Sequence, residues 1–278
     1  MIIFVSMIAL KRMLDTYLHG SMHVAMSVLA LVLMTNHMFG LKFNLPMAGF
    51  AYCGTMFSYN FMKYESWYRF KRTITPRLKI ITALSVIAFI AAVVFFLMLK
   101  RVTQITGIIF FGLTALYTIP VFPKRPNLRN LSGIKVYLVA LCWAGVTTLM
   151  PLVEMGHEIV TDVILKFSQR FLLVLILILI FEIIDLREDD PMLRTVPQII
   201  GVKMTKLLNL FLLVPFYCLE FFKSTVDTMQ LLVNIVLVVA TALFTIFATP
   251  ERNKYYTLFW VESIPIFWLG LVVLASNL

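Results

Sequence analysis

The apolar residues of this chain gather into nine runs of about the length that crosses a bilayer, and this pattern constrains the fold more than any other feature. A hydrocarbon core about 30 Å thick needs roughly 20 apolar residues per helix. The runs fall at 21–39, 45–62, 78–99, 105–122, 133–152, 165–184, 205–222, 228–248 and 257–277. Backbone polar groups in lipid must be satisfied within their own segment, so such runs are helical. The expected class is all-α: a polytopic membrane protein, one transmembrane helical domain over 1–278 with about nine helices in a bundle. Composition removes the alternatives. Of 278 residues 61% are hydrophobic and 14% charged, too few charges to cover a soluble surface and too much apolar mass for a disordered chain. The opening MIIFVSMIAL is followed, not preceded, by the basic pair Lys11 and Arg12, unlike a signal sequence. Residues 1–20 are therefore expected at the membrane surface.

The net charge of +10 would point to nucleic acid in a soluble protein, but here the basic residues lie between the apolar runs. All except Lys42, Lys100, Arg101, Lys166, Arg170 and Lys223 sit at the N-terminus or in links that follow even-numbered runs. By the positive-inside rule the N-terminus and those links face the cytoplasm, and the C-terminus lies outside. Cys53, Cys142 and Cys218 have no paired spacing and no histidine pattern beside them, so neither disulfides nor a zinc site is expected. His19, His23, His37 and His157 are scattered singly and read as interfacial or packing residues. No nucleotide-binding loop, nucleophile elbow or nucleic-acid motif is present.

Acidic residues discriminate better, because they contribute little to topology and are expensive in hydrocarbon. Glu154, Glu158 and Asp162 share one outer link and Glu220 and Asp227 flank another, where water can reach them. Glu262 stands inside the ninth run, one turn from its cytoplasmic end, and is a functional candidate on that ground. Glu182, Asp185, Glu188, Asp189 and Asp190 crowd the cytoplasmic end of the sixth run. If the helix continues past 184, Asp185 and Asp189 share one face with Glu182 a turn earlier, while Glu188 and Asp190 point elsewhere. Two carboxylates a turn apart can bind Mg²⁺, whose shell is completed by water and substrate phosphate. The same spacing serves a solvated helix end neutralised by Arg187 and Arg194 equally well, although acids oppose the dipole there.

The stretch DLREDDPMLRTVPQIIG, residues 185–201, resembles the second aspartate-rich motif of the UbiA superfamily of intramembrane prenyltransferases, with Asp185, Asp189, Thr195, Pro197 and Gly201 in the motif's places. The segment LYTIPVFPKRPNLRNLSGIK resembles the family's Tyr-x-x-Pro loop through Tyr117, Pro120, Lys124, Arg125 and Lys135. Nine spans with motif links after spans two, four and six are also the family's arrangement. The resemblance implies a cavity open to lipid that takes a prenyl tail. Above it, a polar cap of Mg²⁺ and basic residues would hold the diphosphate.

Two departures stand out. The family's first motif, Asn-Asp-x-x-Asp-x-x-x-Asp, would fall at the end of the second span, where Asn60 is kept but Phe61, Tyr64 and Tyr68 replace the aspartates. Glu65 is the only acid nearby, about 140° around the helix from Asn60. The Asn60–Tyr64–Tyr68 face reads as a hydrogen-bonding wall or a cation-facing surface. The second motif is short as well, with 186–194 alone between Asp185 and Thr195. Lys63 is a candidate for the missing positive charge, or else a lysine snorkelling at a helix end.

The expected function is Mg²⁺-dependent transfer of an isoprenoid from a prenyl diphosphate to a lipophilic acceptor, aromatic or lipid. Asp185 and Asp189 would hold the metal, with Asn60 beside them. Tyr117, Lys124, Arg125, Arg129, Lys135, Lys63, Tyr64 and Tyr68 would bind substrate. The alternative is a non-catalytic relative that binds an isoprenoid, a lipid or a partner subunit, and the altered first motif favours it. A transporter would carry polar residues deep in several spans, whereas here charges cluster at the ends.

Overall fold

The computed structural model describes residues 2–69, 74–118 and 133–277, and among them every regular element is helical. In chain order these are α1 (Ile2–His19), α2 (Met22–Met38), α3 (Leu45–Arg69), α4 (Pro76–Met98), α5 (Arg101–Thr118), α6 (Ile134–Ala144), α7 (Met150–Met155), α8 (Thr161–Asp185), α9 (Val196–Cys218), α10 (Thr228–Phe247) and α11 (Ile264–Ala275). A π-helical turn, Gly145–Leu149, fuses α6 to α7, and a second, Tyr256–Val261, leads into α11. Lys124, Arg125 and Arg129 lie outside the described residues, as does the side chain of Tyr117.

Six helical runs are long and apolar enough to cross a membrane: Pro76–Met98, Ile134–Met155, Thr161–Asp185, Val196–Phe222, Thr228–Phe247 and Tyr256–Ala275. Leu10–His19 with Met22–Met38, bent by 61°, makes a seventh if taken as one span. Length and hydropathy therefore do not reach nine among the described residues. The shortfall has a physical cause: α3 carries Tyr59, Asn60, Lys63 and Glu65, and α5 carries Thr103, Gln104, Thr106 and Thr114. Both helices carry polar residues that lower their mean hydropathy; of these Asn60 and Thr103 are buried in the bundle, and Tyr59, Lys63 and Thr114 line a cavity inside it.

The bend at Gly20 and Ser21 separates α1 from α2. A Cβ at Gly20 would come 2.6 Å from the Thr16 carbonyl, so only glycine closes α1 this tightly. Beyond the bend, α2 is buried nearly all round, from His23 to Asn36, as is α8. These two helices form the centre. Around them α3 packs on α2 and α4, α6 on α5 and α8, α9 on α8 and α10, and α11 on α10 and α2. On the inner face of α4, Ala88 and Ala92 are buried, and Ala88 packs with Ala25 and Met56. Small residues of this kind let membrane helices approach closely, where van der Waals packing rather than water exclusion drives association.

The end of the bundle away from Asp185 departs from expectation. Glu220, read as solvated, is 0% exposed, and Glu154 is buried too. A 3₁₀ turn, Leu219–Phe222, folds Glu220 under α8. There its Oε2 accepts from Lys166 Nζ (3.0 Å), Gln169 (2.9 Å) and Asn234 (2.9 Å), and Lys223 pairs with its Oε1. Arg170, 1% exposed, donates to the carbonyls of Leu31 (2.8 Å) and Thr147 (3.3 Å) and lies 5.6 Å over the Trp268 ring. Intramembrane charges persist only when paired or bonded to carbonyls in this way. Glu154 accepts from the Lys100 amide at 3.0 Å.

Candidate functional site

A cavity of about 830 Å³ opens among α2, α3, α4, α5, α6, α8 and α11. Its shaft is apolar, lined by Val28, Phe96, Ile108, Phe110, Met150 and Val174 among others. Phe89 and Val93 of α4 and Ile108 and Phe111 of α5 line it while remaining exposed, so the wall opens sideways between these two helices. α4 packs chiefly on α3 and α5 on α6, which leaves that gap. At one end the lining becomes charged: Lys63, Lys135, Glu182, Asp185, Asp189 and Glu262. The first turn of α6 supplies Lys135, the last turn of α8 Glu182 and Asp185, and Glu262 directly follows the π turn before α11.

The local sequence explains how the acids reach one place. α8 ends at Asp185, but the chain makes one more turn, the amides of Glu188 and Asp189 both donating to the Asp185 carbonyl (2.8 and 2.9 Å). Asp189 therefore stays on the Asp185 face. The neighbours are turned away: Glu188 pairs with Lys254 (2.5 Å), Arg187 pairs with Glu251, and Asp190 accepts from the Met192 amide (2.9 Å). Arg187 thus neutralises Glu251 instead of the cavity acids. Asp185 has Lys254, Asp189, Glu188 and Lys135 as charged neighbours.

Thr195, Pro197 and Gly201 act on the backbone. Thr195 is the N-cap of α9 and its amide is bonded by Gln198 Oε1 (2.9 Å); Pro197 stands in the first turn. The Glu182 carboxylate accepts from the Val196 amide at 3.0 Å, tying the start of α9 to the cavity wall. Gly201 has φ +79° and ψ 158°, a conformation open to glycine, and kinks α9. Of the 186–194 link that precedes Thr195, Asp189 lines the cavity.

On α3 the structure separates residues that the motif grouped. Asn60 does not line the cavity; its Nδ2 donates to the Gly20 carbonyl (2.9 Å) and to Ser85 Oγ (2.8 Å). Tyr64 donates to the His19 carbonyl (2.9 Å), and Tyr68 bonds Thr82. The Asn60–Tyr64–Tyr68 face is a hydrogen-bonding wall against α1, the Gly20 bend and α4, one of the two readings its sequence offered. The adjacent face, Thr55, Ser58, Tyr59, Met62 and Lys63, lines the cavity. Its spacing is that of one helical stripe, a signal the sequence carried one residue away from the asparagine. Trp143 Nε1 donates to the Tyr59 hydroxyl at 2.9 Å, with the rings edge to face at 6.3 Å. Lys63 Nζ donates to Ser21 Oγ at 3.1 Å and has Glu262, Asp185 and Lys254 as charged neighbours.

No group of three His, Cys, Asp or Glu side chains able to hold a metal ion occurs among the described residues. Asp185 and Asp189 on one cavity wall, without nitrogen or sulfur donors, fit a hard cation that takes the rest of its shell from water and phosphate oxygens.

No protein-family profile and no curated protein sequence matches the chain. Among solved structures it is similar to a UbiA homolog from Archaeoglobus fulgidus bound to GPP (geranyl diphosphate) and Mg²⁺, with a TM-score of 0.58, at 10% identity, over 94% of this chain and 100% of that one. That likeness, together with the all-helical membrane architecture, gives the chain a UbiA-like fold.

Proposed function

We propose that the chain is a Mg²⁺-dependent prenyltransferase that moves an isoprenoid from a prenyl diphosphate to a lipophilic acceptor. The observation that carries this reading is the convergence of Asp185 and Asp189 with Lys63 and Lys135 at one end of an otherwise apolar cavity. The homolog's bound GPP and Mg²⁺ fit such a division.

Asp185 and Asp189 would hold Mg²⁺, which when bound draws electrons from the diphosphate. Lys63 and Lys135 bind and orient the phosphate oxygens from α3 and α6, stabilising the charge that grows as the C–O bond breaks. Phe96, Phe110 and Phe181 keep water from the prenyl chain, and the Tyr59–Trp143 pair offers aromatic faces to an allylic cation. Lys124, Arg125, Arg129 and Tyr117 belong to the same polar cap in this reading. In this reading the cap and the N-terminus face the cytoplasm, as the positive-inside rule favours for the basic links, with residues 1–20 on the membrane surface and the chain forming one domain.

Purified protein given labelled geranyl diphosphate and Mg²⁺ should release diphosphate, and Asp185→Asn or Asp189→Asn should each lower that release at least about 100-fold, the scale of removing a group acting on transition-state charge. Undiminished release in both variants overturns the reading.

The second reading, an isoprenoid- or lipid-binding relative without turnover, is favoured by Phe61, Tyr64 and Tyr68 in place of first-motif aspartates. Under it, native mass spectrometry finds a retained lipid whose occupancy ignores Mg²⁺.

A further inference from the structure

We propose that Glu262 is the base that takes the acceptor's proton, and that the acceptor therefore carries an ionisable O–H or N–H, or a C–H made acidic by attack on an aromatic ring. This rests on the prenyltransferase reading and adds the half of the reaction that Asp185 and Asp189 leave unserved.

Depth in the cavity points to Glu262. It follows the start of the last span, Tyr256, by six residues, one full π turn into that span, whereas Asp185 is the final residue of α8. Glu262 thus sits further into its span than Asp185 does, and its neighbours Leu258 and Pro265 also line the cavity, so it marks the junction of the charged end with the apolar shaft. The reacting allylic carbon is one bond from the leaving oxygen, so the acceptor must enter at this junction. Ser27 also lines that level, but its hydroxyl is occupied by the carbonyls of His23 and Glu262. Tyr59 accepts from Trp143, and Lys63 is a cation already engaged by Ser21. Glu182, also in the lining, is engaged by the Val196 amide (3.0 Å), so among the described lining residues Glu262 is the carboxyl group left at this level to accept a proton.

The backbone is built to hold it. The π turn Tyr256–Val261 ends immediately before Glu262 and shifts the helix face by about one residue, roughly 100°. His23 fixes that turn through Nε2, which bonds the Phe259 carbonyl (3.0 Å) and Ser263 Oγ (2.9 Å), while its Nδ1 accepts from Tyr17 (2.9 Å). The charged neighbour acting on Glu262 is Lys63, which lines the same cavity from α3. In the step itself the allylic C–O bond breaks with its electron pair on the diphosphate. The acceptor's nucleophilic atom bonds to the allylic carbon. The acceptor's proton passes to Glu262, its bonding electrons staying with the acceptor.

Membranes containing the protein, incubated with [1-³H]geranyl diphosphate and Mg²⁺, report both halves: released diphosphate, and the partition of label between a lipophilic transfer product and geraniol. Glu262→Gln should lower the ratio of transfer product to geraniol at least about tenfold, with Glu262→Asp restoring part of it. If geraniol is the parent's sole product, water is the acceptor, and Glu262→Gln should lower geraniol formation by that factor. Diphosphate release that depends on Asp185 with an unchanged partition, or unchanged geraniol in the water case, overturns the role of Glu262 and leaves the prenyltransferase reading standing. A parent chain that releases no diphosphate overturns the reading beneath it as well. Circular dichroism and thermal melting of the purified variants separate misfolding from loss of the base.

Discussion

Replacing Lys63 by Met removes the cation that α3 sends into the cavity. Its ammonium donates to Ser21 Oγ at 3.1 Å and faces Glu262 and Asp185. If it also contacts a bound diphosphate, the variant loses one charge-assisted hydrogen bond, about 1.5–3 kcal/mol. That is a rise in Kd of roughly 10- to 150-fold. Inorganic pyrophosphate with Mg²⁺ is the probe, titrated calorimetrically against detergent-solubilised protein. Lys63→Met also leaves Glu262 without its cation, so the double variant Lys63→Met/Glu262→Gln is measured beside it. Removing both charges restores neutrality, and the double variant should still bind at least about tenfold more weakly than the parent. The weakening should survive a rise in ionic strength from about 0.1 to 0.5 M, because a contact inside the cavity is screened less than a surface pair. A Kd within about threefold of the parent in both variants refutes the assignment of Lys63.

Two further outcomes test the surrounding structure. Glu220→Gln strips the fully buried carboxylate from Lys166 and Lys223 and should destabilise the bundle by about 3–5 kcal/mol, read as a fall in Tm in detergent; a Tm within about 2 °C of the parent contradicts the buried network. Asn60→Ala forfeits the bonds to Gly20 and Ser85 and should lower stability by about 1–3 kcal/mol while pyrophosphate affinity stays within about twofold; a tenfold loss of affinity would put Asn60 in the site.

The membrane bundle was legible because apolar run length answers to bilayer thickness, and α4, α8, α10 and the final span lie within a few residues of the expected runs. The shared face of Asp185 and Asp189 was legible because four residues is one helical turn, and the backbone keeps that turn after α8 ends. The motif frame picks out Asn60 by residue identity, whereas the cavity lining follows a helix face. One residue's rotation, about 100°, turns Asn60 to the wall and Tyr59 and Lys63 to the cavity. Glu220 misled because charge beside a span end reads as solvated, and only the 3₁₀ turn that folds it inward shows otherwise. Neither π turn has a sequence signature, so the register that delivers Glu262 was visible in the structure alone.

Everything chemical here depends on two acids at the end of α8 gripping a divalent cation only when a diphosphate is present to complete its shell. Mn²⁺ can stand for Mg²⁺ and be counted by electron paramagnetic resonance as free ion is lost on binding. The parent chain should bind Mn²⁺ weakly alone and at least about tenfold more tightly with inorganic pyrophosphate, and the Asp185→Asn/Asp189→Asn variant should lose that gain. Pyrophosphate-enhanced Mn²⁺ binding that persists in the double variant would contradict the account.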